Sequence, residues 1–379
     1  MKNGKKLNIG VMARHFGDKG GITVYSRNIL RNIFKIDKFN QYFIFFPNES
    51  YLGWYKEFSN VEEIVIGYNN NAFDKLIWDQ YRILKCLKKF NIDVLFNPKL
   101  AVPLFARCKT IFVMHGMEQF AADELFLWWD RLYFKIAMRL FCKKADAIPV
   151  MTETGRNDLK KYLTVQDFKI HVIPEAYKDY CIVIEDDNEL TRVKKKFRLP
   201  EDFYLFIGGI TPLKNLPTLL RAFKEIKNRG SNYKLALGGF KRFKFERELK
   251  LINKLELEEH TIELGFVEDN DLAGLYNLAS CFILPSFYEG FGIPILEAQA
   301  CGCPVIISER GAMREVAGEG GALYFNPDSY LELADRMENI IEDKKVRECL
   351  IESGFENVKK FSWGNTALKM VKLFEKLAN

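Results

Sequence analysis

No run of uncharged apolar residues in this chain approaches the ~18 that a bilayer-crossing helix needs, so the chain is expected to be soluble and at most peripheral to a membrane. Charge of one sign is scarce as well. Lys and Arg number 56 against 50 Asp and Glu, and the net charge of +6 is scattered along the sequence, which argues against a dedicated nucleic-acid binder. A small positive excess still suits anionic small molecules or an anionic membrane surface. The fingerprint GxGxxG does not follow the first apolar run, which argues against a nicotinamide or flavin enzyme. The eight cysteines (86, 108, 142, 181, 281, 301, 303, 349) form no CxxC, and the close pair Cys301-Gly-Cys303 fits neither a zinc knuckle nor a redox motif. Reduced, mostly buried thiols in a cytoplasmic protein are expected. The start, "MKNGKKLNIGVMA", has only about seven apolar residues before Arg14 and reads as a first strand rather than a secretory leader. Short repeats and low-complexity tracts are missing too.

What is present is an alternation. Hydrophobic residues make up 48% of the 379, enough for two cores, and two domains is the default at this length. Short apolar runs alternate with amphipathic stretches, the pattern of βα repetition and parallel sheets. Strands are expected at 7–13, 42–47, 63–67, 93–98, 110–116, 147–152 and 170–176, with helices near 21–35, 74–90, 124–144 and 153–163. The pattern restarts with strands at 203–209, 234–239, 261–267, 281–286, 304–308 and 322–325. Helices are expected there near 215–229, 243–256, 270–279, 294–301, 328–343, 344–360 and 363–378. The segment 177–201 is acidic, then basic, and ends on a proline; it reads as a connector. The predicted fold class is α/β, with two Rossmann-like doubly wound domains at 1–176 and 202–362.

In such domains ligands bind outside the carboxyl ends of the strands, and the polar or glycine-rich turns "HFGDKGG", "HGM", "GGITPLKN", "GGF", "GFV" and "YEGFG" fall there. Gly20-Gly21 sits where a helix begins, so bare amides could meet a phosphate; a turn needing positive φ is the plain alternative. Lys214 follows a glycine-rich strand end, where its cation could neutralise a diphosphate, although an isolated lysine is usually a solvated charge. The richest stretch is "PSFYEGFGIPILEAQACGCPVIIS" (285–308), with Glu289 and Glu297 separated by seven residues. Pro294 suits the first helical position, which would put Glu297 in the first turn. The amides of Phe291, Gly292 and Ile293 can approach a ligand, and the two carboxylates could accept hydrogen bonds from sugar hydroxyls, one from a hexose and one from a ribose. The plain alternatives are a helix-start acid and a loop acid. "DND" (269–271) resembles a metal motif but is expected to cap a helix. In 123–144, Trp128-Trp129 followed by basic residues at helical spacing admits two readings. One is a domain helix with a face in the core and the tryptophans exposed; the other is contact with a bilayer interface.

The segment 285–308 resembles the signature of retaining family-4 glycosyltransferases with the GT-B fold. The likeness extends over roughly residues 7–378, through "GGITVYSRNI", "MHGM", "ADAIPVMTETGRNDL", "HVIPEA", "FIGGITPLKN", "LGFV", "LAGLYNLASCFILPS" and "REVAGEGGALYFNPDS". The resemblance implies two Rossmann-like domains facing across a cleft, with the last helix (363–379) packing back on the N-terminal one. It also implies a metal-independent, retaining transfer of a hexose, mannose or a related one, with a nucleotide-diphosphate sugar as co-substrate and no cofactor. The acceptor would be a saccharide or lipid-linked saccharide.

By resemblance, Glu297 would hold the ribose and Glu289 would face the donor sugar, together with the amides of Phe291, Gly292 and Ile293. Lys214, with Gly20 and Gly21, would meet the diphosphate. His115 would lie at the acceptor face of the donor, and Gly265, Phe266 and Val267 would contact the base. Four positions depart from the family. Gly209 stands where many members carry a phosphate-binding arginine, and Leu213 where some relatives supply that charge. Gly116 follows His115 where aspartate is common, so a carboxylate partner for the histidine must come from elsewhere. Glu175 stands where many relatives have asparagine, and nothing follows from it in the sequence. A nucleotide-sugar epimerase and a non-catalytic nucleotide-sugar-binding subunit share the architecture.

Overall fold

A computed structural model describes residues 5–17, 20–69, 71–125, 127–239 and 246–378. Two compact units emerge, one of residues 1–120, 126–175 and 362–379, the other of 121–125 and 176–361. In the first, β1 (Asn8–Met12), β2 (Gln41–Phe46), β3 (Val61–Val65), β4 (Val94–Asn97) and β5 (Lys109–Phe112) form a sheet of order β3-β2-β1-β4-β5. Every pairing in it is parallel. β6 (Ile148–Val150) and β7 (Ile170–Val172) pair beside it, and the bridges Ile111–Ala147 and Met114–Val150 join them to the strand β5 end. The inner parallel strands are covered on both faces, which is why they read as apolar runs, whereas the edge strand β3 carries Glu62 and Glu63.

The helix Gly21–Ile36 packs on the last helix, Trp363–Ala378, with the Tyr25 and Trp363 rings 5.8 Å apart. Phe374 reaches Phe96 of β4 at 5.5 Å, and Thr366 Oγ1 donates to the Pro174 carbonyl at 2.7 Å. These contacts place the C-terminal helix in the first unit. The expected helix 74–90 is instead three joined pieces, Ala72–Ile77, a π-helical turn Trp78–Arg82, and Ile83–Lys89. The wide turn carries the buried Asp79.

The second unit holds β8 (Phe203–Ile207), β9 (Lys234–Gly238), β10 (Thr261–Gly265), β11 (Cys281–Leu284), β12 (Val305–Ser308) and β13 (Leu323–Phe325). They form an all-parallel sheet of order β10-β9-β8-β11-β12-β13, the doubly wound arrangement. Its core fills with Leu216, Leu219, Leu220 and Phe223 from the helix Leu216–Asn228 and Leu333, Met337 and Ile340 from the helix Tyr330–Glu342. The loops after β8 and β9 touch backbone to backbone. Gly239 has φ +143°, and a Cβ there would lie 1.8 Å from the Gly208 carbonyl oxygen.

The segment 177–201 is not a simple connector. Asp187–Phe197 is a helix of the second unit, fastened to the helix Asp269–Leu278. Buried Asp271 receives Arg192 at 2.8 Å and Lys196 at 2.5 Å. The segment reads as a connector in sequence because its acidic partner, Asp271, lies far along the chain. Asp18 and Lys19 of "HFGDKGG", Phe240 of "GGF" and the first residues of the helix expected at 243 lie outside the described residues.

Candidate active site

In each sheet the strand order reverses beside the first strand, between β1 and β4 and between β8 and β11. The crevice outside the carboxyl ends at such a point is where a ligand can enter between diverging loops. In the second unit the loops after β8 and β11 supply Lys214 and Glu289. Lys214 Nζ lies 2.5 Å from Glu289 Oε1, and both side chains are mostly buried. The Phe287 amide donates to the Leu213 carbonyl at 2.9 Å and ties the loops together. Ser286 Oγ also donates to Glu289 Oε1, at 2.5 Å, while Ser308 at the end of β12 donates to the Ser286 carbonyl at 2.6 Å. Both serines are fully buried. The carboxylate is thus aimed by a chain of hydroxyls that begins on the next strand.

Glu297 lies on the helix Ile293–Ala300, which Gly292 caps with φ +98°. That left-handed residue starts the helix at Ile293, one residue before Pro294. Glu297 therefore sits beyond the first turn, correcting the expected placement, and is 3% exposed. Tyr276 OH donates to its Oε2 at 3.3 Å, Lys178 Nζ stands 3.9 Å from Oε1, and Oε1 itself is buried with no hydrogen-bond partner. Burial pushes the Glu297 carboxyl above its ordinary value, with Lys178 and the Tyr276 bond pulling the other way. A buried carboxylate oxygen that lacks a donor is costly unless something supplies one. Phe291 is buried against Phe361; at the helix start Pro294 has no N–H and the Ile295 amide donates to the Gly292 carbonyl at 2.9 Å, so the Ile293 amide is the one without an acceptor within the helix.

Lys178 was missed in the sequence because it fell in the supposed connector. It also pairs with Asp269 at 2.7 Å and lies over the Tyr180 ring, 5.5 Å from its centroid. Burial opposes its charge, but Glu297 and Asp269 outweigh it and hold its value up. The "DND" residues do not cap their helix through side chains: Glu268 is the cap residue, Asp269 pairs with Lys178, and Asp271 is held by Arg192 and Lys196. Gly265 ends β10 with φ +67°, Phe266 is exposed, and Val267 packs toward Gly238. Gly208 donates to the Gly238 carbonyl at 2.9 Å, with Gly209 following it, and no cation stands at 209 or 213.

In the first unit, His115 and Glu175 meet. Nδ1 of the ring is 3.2 Å from Glu175 Oε1, and Nε2 is 2.6 Å from the Pro98 carbonyl, with the Tyr25 ring edge-on at 4.8 Å. The carboxylate that Gly116 cannot provide thus comes from Glu175, 60 residues on. The glutamate in "VIPEA" was the signal, and only the fold gives it meaning. At the β1 end, Arg14 grips Asp79 through two bonds of 2.8 and 3.0 Å, while buried His15 bonds Ser26 Oγ at 2.6 Å. Burial, then Lys99, His115 and Arg14, push His15 well below its ordinary value. Arg14, His15 and Asp79, with Met12, Asn97, Lys99 and Leu100, line a small polar cavity at the strand reversal. Gly20 precedes the helix Gly21–Ile36, and a Cβ on Gly21 would meet open space.

A doubly wound pair of domains with these strand-end clusters defines a class, and sequence comparison agrees. Residues 187–357 match the family Glycosyl transferases group 1, and residues 41–177 match Glycosyltransferase Family 4. The chain belongs to the family-4 glycosyltransferases of the GT-B fold. Among its relatives is the serotype-specific mannosyltransferase WbdA of Escherichia coli, 30% identical over 278 residues, covering 71% of this chain and 34% of that protein. The chain thus spans about a third of WbdA's length. The O-antigen chain mannosyltransferase RfbU of Salmonella typhimurium is 28% identical over 270 residues, covering 70% of each. Among solved structures, Anabaena HepE in complex with UDP-glucose superposes with a TM-score of 0.78 at 15% identity, covering 98% of this chain and 100% of that one. No helix among the described residues is long and apolar enough to cross a membrane.

Proposed function

We propose that this chain is a glycosyltransferase that moves a hexose, mannose or a close relative, from a nucleotide-diphosphate sugar to a saccharide or lipid-linked saccharide acceptor. Its place would be surface polysaccharide or glycolipid assembly at the inner face of a membrane. Family membership and the mannosyltransferase activities of WbdA and RfbU support the reaction class, and the UDP-glucose bound by HepE supports the donor class. The observation that carries the proposal is the Glu297 carboxylate, buried with Oε1 lacking a donor on a short helix behind the β11 loop. Two adjacent ribose hydroxyls supply the donors it lacks. The amides of Phe291, Gly292 and Ile293 lie one turn away, for the donor sugar and its phosphate, and Lys214 balances the diphosphate.

For the chemistry we propose retention by same-face substitution, without a covalent enzyme intermediate and without a metal ion. Glu289 is fixed by Lys214 and Ser286, both bonded to the same oxygen, an arrangement suited to holding charge rather than attacking a sugar carbon. The glycosidic C–O bond to the leaving phosphate breaks as the acceptor oxygen bonds from the same face. The phosphate oxygen takes the acceptor proton. Lys214 and the helix amides then act where negative charge develops, so positioning and electrostatics carry the rate.

The test is a thermal-shift panel of UDP, GDP, TDP and ADP sugars, followed by turnover of the best binder with and without acceptor saccharides. Stabilisation by one nucleotide sugar with acceptor-dependent transfer is expected. Conversion of the donor sugar without acceptor would mean an epimerase. Binding without turnover on a broad acceptor panel would mean a binding subunit.

A further inference from the structure

The helix Trp128–Lys144 wears its apolar residues on the outside. Met138 and Cys142 are buried, whereas Trp128, Trp129, Leu132, Ile136 and Leu140 are all about half exposed or more, Trp128 reaching 67%. The tryptophans are exposed as anticipated, and three aliphatic residues join them. With ~100° per residue, Trp128, Arg139, Leu132, Lys143, Ile136, Trp129 and Leu140 fall in that order across an arc of about 120°. Arg139 and Lys143 are exposed within the arc. Lys135 and Lys144 follow just outside its two edges.

An exposed apolar stripe of this length is costly in water unless something covers it. The charges decide what. The arc carries two cations and no acid, so a second copy packed on it would set Arg139 and Lys143 against their own kind. An anionic headgroup layer neutralises them while the aliphatic side chains and tryptophans enter the acyl boundary. Lysine and arginine stems can lie along the apolar layer with their charges at its edge, and tryptophan favours that depth. The helix is also held from behind: Lys169 Nζ donates to the carbonyls of Lys143 at 3.0 Å and Ala145 at 2.7 Å, and the Lys135 ammonium sits over the Phe120 ring.

We propose that the outer face of the helix Trp128–Lys144 is a docking surface for an anionic lipid bilayer. This inference stands apart from the donor site, which lies in other elements, and it would bring the first unit to a lipid-borne substrate. The whole chain is mixed with vesicles of phosphatidylcholine alone, or of phosphatidylcholine with phosphatidylglycerol, and sedimented at low and high salt. Binding to the anionic vesicles only, weakened by salt, is the expected result. Arg139→Glu with Lys143→Glu removes two attractions and adds two repulsions, and should weaken partition by about thirtyfold or more. Trp128→Ser with Ile136→Ser keeps the charge and should weaken it at least tenfold, with a smaller blue shift of tryptophan emission on binding because Trp129 alone remains in the arc.

Both variants alter exposed side chains, so unchanged circular dichroism and thermal melting provide the folding control, and unchanged thermal shift with the nucleotide sugar keeps the donor site separate. Wild-type protein that stays in the supernatant with anionic vesicles at low salt overturns the proposal. So does wild-type binding by either variant. Concentration-dependent dimerisation abolished by Trp128→Ser with Ile136→Ser would assign the face to a second copy instead.

Discussion

The Lys214 ammonium lies 2.5 Å from Oε1 of Glu289, joining loops that leave two neighbouring parallel strands 75 residues apart. Neither group owes its position to local sequence. Lys214 closes a one-turn helix opened by Pro212, and Glu289 is turned toward it by the buried hydroxyl of Ser286. If the pair balances charge on a departing diphosphate, Lys214→Met should lower the turnover number about 10²–10³-fold. Glu289→Gln should act through the same element, so the double variant should be little slower than the worse single one. Turnover at saturating donor, on variants with native melting curves, measures this. Losses that simply multiply would sink the idea that the two act as a unit.

Glu297 predicts a pH dependence whose sign follows from its burial. Its carboxyl titrates above the ordinary range because the charged form is desolvated. Ribose hydroxyls donating to the carboxylate favour the charged form, so nucleotide binding should release protons just above the ordinary carboxylate range. Affinity should weaken as pH falls through the raised value. For stability alone the sign is opposite: the folded state binds more protons than the unfolded one there, and the cost of the buried charge vanishes as pH falls. Glu297→Gln should flatten the pH dependence and weaken binding by about 10–100-fold. Calorimetry in two buffers of different ionisation heat reads the proton release directly.

Among the described residues all thirteen strands lie where the apolar runs predict them, because the inner strands, buried on both faces, announce themselves by composition. What was hidden depends on partners distant in the chain. The helix Asp187–Phe197 looked like a charged connector until Asp271, 79 residues past Arg192, supplied its anchor. Lys178 had no evident role without Glu297 behind it. The π turn that delivers Asp79 to Arg14 has the periodicity of an ordinary helix in sequence. The paired glutamates were legible as acceptors, but the burial that leaves one oxygen without a donor is a property of the packed helix.

His115 and Glu175 form a second pair. The Pro98 carbonyl can only accept, so Nε2 donates to it, and Nδ1 faces a carboxylate oxygen. Glu175 holds the His115 ring through Nδ1, which would make it a positioning residue. Glu175→Gln keeps the volume, removes the charge and should lower turnover about 10–100-fold, with donor KM little changed. The pH–rate profile should move as well, which a purely structural loss would not produce. An unmoved profile with an unchanged rate would leave the glutamate without a part in transfer.

His15 makes a prediction about the first unit alone. Ser26 Oγ donates to the Ile22 carbonyl at 2.7 Å, so its remaining role toward the ring is as acceptor, and Nε2–H is the donor at 2.6 Å. The ring is 2% exposed, and burial, with Lys99, His115 and Arg14, holds it neutral to well below its ordinary value of 6.5. Between the depressed folded value and 6.5, the unfolded chain binds a proton that the folded chain refuses. Stability therefore rises with pH through that interval and is lost as pH falls below 6.5, at up to about 1.4 kcal/mol per pH unit for this one group. Urea melts between the two limits should show the slope, and His15→Gln should remove one proton's worth of it. The variant also loses ring packing against Phe16, 5.5 Å away, so its stability should fall at every pH while the slope flattens. A lower but parallel curve would show that the proton is taken up elsewhere.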